Sequence, residues 1–74
     1  MGGRDVSQLH LTVNGDPRIV PGPATLTDLL THLGLDPRVV VVELNREIVR
    51  RPLLGDRVLR DGDTVELVHF VGGG

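Results

Sequence analysis

Apolar and polar positions alternate with period two at Gln8-Leu9-His10-Leu11-Thr12-Val13. That pattern predicts a half-buried strand with Leu9, Leu11 and Val13 facing inward. Asn14-Gly15 follows, and both residues accept positive φ, so a tight hairpin turn is expected. Asp16-Pro17-Arg18-Ile19-Val20 returns as a second strand, and the proline near its start suggests a sheet edge. Pro21-Gly22-Pro23 breaks it. The period then changes. Leu26, Leu29, Leu30 and Leu33 fall at i, i+3, i+4 and i+7, one apolar stripe of a helix. Thr25 with Asp28 three residues on predicts a capping box, and Gly34 predicts the C-terminal stop, with Leu35 folding back on it. Asp36-Pro37 prevents continuation.

The β-branched run from Val39 to Leu44 predicts a third strand. Asn45-Arg46 makes a turn, and Glu47-Ile48-Val49 gives a short return strand. Residues 50–60 look like an irregular crossover with Leu54, Val58 and Leu59 pointing in. Asp61-Gly62-Asp63 is a turn. Residues 64–71 form the last and longest strand pattern, with Val65 and Leu67 toward the helix and His69 in phase. Glu66, Val68 and Phe70 then face the other way, beside His10 and Thr12. The order is hairpin, helix, short hairpin, crossover, strand. It predicts an α+β two-layer domain in which the helix covers one face of a mixed sheet of four to five strands. The first and last strands are expected as parallel neighbours at its centre. We divide the chain into a leader (1–7), the folded domain (8–71) and a Gly-Gly-Gly tail (72–74).

Composition narrows the function. At 74 residues the chain is one small domain. There is no cysteine, which excludes disulfides, thiolate metal sites and a thiol nucleophile. A net charge of −2 and a single aromatic residue argue against nucleic-acid binding. No apolar run approaches a membrane span and no signal region opens the chain, so a cytoplasmic protein, monomeric when free, is expected. All eight basic residues are arginine, so an activated carboxylate on this chain would meet no lysine amine.

The chemistry concentrates at Val71-Gly72-Gly73-Gly74. Glycines bury and pair nothing, and they enter narrow slots where a Cβ would clash. The distinctive group there is the Gly74 carboxylate. Elsewhere the constellations are sparse. His10 and His32 lack metal-ligand spacing and are expected at the surface. His69 has no partner in sequence that would make it catalytic. Val68 and Phe70 on the outer face, with Arg46 and Arg50 nearby, form a candidate docking patch. Arg51, Arg57 and Arg60 add to the positive excess of the crossover. No acid–base or nucleophile constellation marks an enzyme.

The element order is that of the ubiquitin-like β-grasp. Leu44-Asn45-Arg46-Glu47-Ile48-Val49, Asp61-Gly62-Asp63, the strand after it and Val71-Gly72-Gly73-Gly74 resemble the ThiS family, the sulfur carriers of thiazole assembly in thiamine biosynthesis. Arg46 stands where a hairpin glycine is common in that family, and Arg50-Arg51-Pro52 departs from its usual order. The resemblance implies that an ATP-dependent E1-like enzyme (ThiF-type) adenylates Gly74. A cysteine desulfurase or rhodanese-type donor then converts it to a thiocarboxylate, and thiazole synthase (ThiG-type) receives the sulfur. The carrier is then a substrate, not a catalyst, binds no cofactor or metal itself, and needs Val71, Gly72 and Gly73 for threading. The small subunit of molybdopterin synthase and the carriers of tRNA thiolation or conjugation share this tail chemistry. A plain interaction module with an inert tail is the alternative of another class.

Overall fold

The computed structural model describes residues 7–70. The strands are β1 (Gln8–Val13), β2 (Asp16–Pro21), β3 (Val40–Leu44), β4 (Glu47–Val49) and β5 (Thr64–His69), with helix α1 (Leu26–Leu33) between β2 and β3. They form one sheet in the order β2-β1-β5-β3-β4. Only the β1–β5 pair is parallel. β2 is an edge strand, as its proline requires. β5 is six residues long, no longer than β1 or β2. The domain's expected boundary at residue 71, and the tail after it, lie outside the described residues.

Turn chemistry fixes the hairpins. Asn14 and Gly15 have φ of 51° and 84°, the paired positive values of a type I′ turn. The β3–β4 turn has the same form, with Asn45 at 51° and Arg46 at 72°. Arg46 therefore holds a left-handed conformation that glycine enters without steric cost. Ser7 accepts a bond from the Gly22 N–H at 3.0 Å. That extends the β1–β2 ladder by one pair; residues 1–6 of the expected leader lie outside the described residues.

Helix α1 is capped at both ends. The Asp28 N–H donates to Thr25 Oγ1 (3.2 Å), and the Thr25 N–H donates to Asp28 Oδ2 (2.9 Å). At the other end, Gly34 (φ 72°) and Leu35 donate to the Thr31 and Leu30 carbonyls, the pair of bonds that closes a Schellman cap. The stripe Leu26, Leu29 and Leu30 is buried against Leu9, Leu11, Val42 and Val65, with Leu33 and Leu35 half-buried at the margin. Val65, on the central strand, is wholly buried.

The crossover is more regular than its sequence suggests. Arg51–Asp56 is a 3-10 helix, and a shorter one at Pro37–Val39 shifts the start of β3 to Val40. Leu54 and Leu59 are buried as expected, but Val58 is 62% exposed. Val58 forms an antiparallel bridge with Thr25, flanked by bonds from Leu26 N–H to Arg57 and from Leu59 N–H to Ala24. In extended backbone adjacent side chains point to opposite faces, so Val58 and Leu59 cannot both face inward.

Candidate functional site: the end of the central strand

Everything the sheet does at its centre converges on β5. β3 pairs antiparallel with it from Val65 to His69, and the Phe70 N–H donates to the Val39 carbonyl at 3.1 Å. The chain is thus held on its β3 side to the last described residue. Gly74 follows four residues on in the sequence. Val71, Gly72, Gly73 and Gly74 themselves lie outside the described residues.

The face of the sheet opposite α1 is partly apolar. Register places Val68 beside Val41, and Glu43 between Glu66 and Ile48. Alternation with the buried Val42, Val49 and half-buried Leu67 puts all five on the outer face. Val68 is 60% exposed and Phe70 45%. Phe70, Val41, Ile48 and Arg50 line one shallow hollow at the end of β5, and Arg38 and Arg51 sit on its rim. The hollow therefore brings Phe70 and Arg50 together, and Val68 lies beside it as the cross-strand neighbour of Val41. Arg46 is at the other end of β4, in its turn, and does not line this hollow.

Charge around the hollow is uneven. Arg38 is engaged by Asp36 at 2.8 Å. The Arg38 side chain and its backbone N–H both bond the Asp36 carboxylate, and they hold its pKa down at about 2. The same pairing raises the pKa of Arg38. Arg57 pairs with Glu47 at 3.3 Å. Arg46, Arg50, Arg51 and Arg60 are exposed. Glu43 and Glu66 are direct cross-strand neighbours of like charge, a pairing that weakens the β3–β5 ladder locally.

His10 and His32 are exposed, as expected, and His69, in phase with the inward-facing Val65 and Leu67, is exposed as well. Sequence reasoning missed the partner of His10. Its Nδ1 lies 3.0 Å from Asp61 Oδ1, which also accepts the His10 N–H at 2.6 Å. Their separation of 51 residues hides the pair until β1 and β5 are known to be adjacent. Among the described residues no group of three His, Asp or Glu could hold a metal ion. No helix among them is long and apolar enough to cross a membrane.

A mixed five-stranded sheet with a central parallel pair and one helix across one face is the ubiquitin-like β-grasp. The crystal structure of the thiamine biosynthesis protein ThiS from Geobacter metallireducens superposes with a TM-score of 0.76 at 40% identity, covering 89% of this chain and all of that one. The model of the ThiS family matches residues 11–74, and the chain belongs to that family. The sulfur carrier protein ThiS of Bacillus subtilis is 40% identical over 65 residues, 86% of this chain and 98% of the relative. A thiazole synthase of Magnetococcus marinus is 43% identical over 67 residues, 90% of this chain but 20% of the relative. The chain thus spans about a fifth of the length of the thiazole synthases it matches.

Proposed function

We propose that this chain is a sulfur carrier of thiazole assembly in thiamine biosynthesis and that Gly74 carries the sulfur. The observation that carries the reading is the family match, which runs through the last strand and the glycine run to Gly74. A carboxylate is unreactive toward sulfur until one oxygen becomes a good leaving group. An E1-like partner supplies this by transferring AMP from ATP to the Gly74 carboxylate with release of pyrophosphate. Sulfur delivered at the sulfide level then attacks the acyl carbon, AMP leaves, and a thiocarboxylate remains. Transfer of that sulfur to the thiazole precursor, with one oxygen taken up in its place, restores the carboxylate. ATP is consumed by the partner, and the carrier itself holds no cofactor.

The thiazole synthases that contain a segment similar to this chain support thiazole synthase as the recipient. The outer face with Val68, Phe70 and Arg50 is where a partner would dock, since it is partly apolar, exposed and adjacent in sequence to the tail. Val71, Gly72 and Gly73 would then thread into the partner's site. The test is intact-protein mass after incubation with ATP, a sulfide source and the activating enzyme of the same organism. A gain equal to one oxygen replaced by sulfur, mapped to Gly74, is expected. No gain with an enzyme active on its own carrier would leave the tail inert and sink the reading.

A further inference from the structure

The strand that leads to the tail outlasts its neighbour. β1 and β5 pair only at Thr12↔Thr64 and Val13↔Val65, because β1 then turns away into its hairpin. The last main-chain bond across this edge runs from the Asn14 N–H to the Val65 carbonyl, 2.9 Å. Beyond it the Asn14 side chain takes over. Its Oδ1 accepts the Leu67 N–H at 2.6 Å, and its Nδ2 donates to the Leu67 carbonyl at 3.2 Å. A carboxamide offers the same donor and acceptor as a peptide unit, so it serves as one extra residue of strand.

Asn45 uses the same device at the other end of β5. The Asn45 N–H donates to the Thr64 carbonyl (2.8 Å), and its Oδ1 accepts the Thr64 N–H (2.9 Å). Both asparagines open their turns at φ 51°. Tolerance of positive φ is the usual reason for asparagine there, and glycine would serve it equally. The amide bonds are what glycine would not supply.

We propose that Asn14 is a positioning residue for tail delivery: its amide keeps β5 bonded on both edges up to Leu67, seven residues before Gly74. Without it the strand end is held through β3 alone and opens locally more often. A reacting group misplaced by about an ångström loses about a hundredfold in rate, so a loose root lowers the rate of the activated step more than the affinity. This inference rests on the carrier reading above.

The test compares Asn14→Gly, which keeps the turn and removes the amide, with Val20→Ala, a buried change on β2 that lowers stability away from the tail. Amide exchange is followed by NMR on the free chain, and steady-state adenylation is measured with the E1-like enzyme. For Asn14→Gly the Leu67 amide is expected to exchange about tenfold faster. Its kcat is expected to fall about tenfold, with KM within about twofold. Asn14→Asp, which keeps the acceptor and tolerates the turn, should fall between. Val20→Ala should lower Tm and leave kcat unchanged. Unchanged Leu67 exchange in Asn14→Gly overturns the splint. Unchanged kcat, or an equal loss in Val20→Ala, overturns the delivery role. A wild-type chain that an active E1-like enzyme does not adenylate overturns the carrier reading and the delivery role with it, while the exchange result still reports on the strand.

Discussion

Among the described residues, Arg46 has the backbone least suited to its side chain. At φ 72° it occupies the second position of a type I′ turn, where an L side chain costs about 1–2 kcal/mol relative to the ordinary helical region. Glycine avoids that cost but gives back part of it as unfolded-state entropy. Arg46→Gly is therefore expected to stabilise by about 1 kcal/mol, a rise in Tm of roughly 5 °C for a domain this size. Thermal denaturation followed by circular dichroism checks it. Asp36 makes a different residue-scale prediction. Its folded pKa of about 2 lies below the ordinary 3.8 because Arg38 bonds the ionised form. A depressed carboxylate stabilises above its unfolded pKa, and the contribution disappears as pH falls through the folded one. The pair is exposed, so its effect on stability is small. The Asp36 carboxyl carbon, followed by NMR, should titrate near pH 2, and Arg38→Ala should move the midpoint up toward 3.8.

At the scale of elements, α1 tests how far local signals determine structure. It has only eight residues, too short to persist alone, so its caps and its buried leucines carry it. Removing the Thr25 side chain leaves the Asp28 N–H without its cap acceptor. Thr25→Ala should cost about 1 kcal/mol and Thr25→Ser only a fraction of that, read as the shift in denaturation midpoint. This helix was legible because each signal is local: a cap, a stripe and a stop within ten residues. The Asn14-Gly15 hairpin was legible for the same reason. Val58 was not. Its orientation is set by a bridge to Thr25, more than thirty residues away, and no spacing around Val58 records that. The amide bonds of Asn14 to Leu67 were hidden likewise, because they exist only once β1 and β5 lie side by side. The Val68–Phe70 face was legible through alternation alone. The hollow that joins Phe70 to Arg50, and leaves Arg46 outside, needed the β3–β4 register.

At the scale of the whole molecule, the proposed function separates into a surface that docks and a tail that reacts. The two are neighbours along the chain, because β5 supplies Val68, Phe70 follows the strand, and residues 71–74 come next in the sequence. Two substitutions should therefore fail in different ways. Val68 is mostly exposed, so Val68→Ser should change stability by no more than about 0.5 kcal/mol. It removes apolar area from the middle of the outer face, where Val41 is its cross-strand neighbour. Activation by the E1-like enzyme should then show KM raised about tenfold, with kcat nearly unchanged. Gly73→Ala leaves that face intact and adds a Cβ to the segment that must thread past backbone and nucleotide. It should keep its Tm and its KM and lose kcat. Steady-state kinetics on both variants decides between this division and a single diffuse interface. If Val68→Ser loses kcat as heavily as Gly73→Ala, the outer face takes part in the activated step itself and the division fails. If Gly73→Ala retains full kcat, the glycine run is not needed to thread, and the steric account of the tail is wrong.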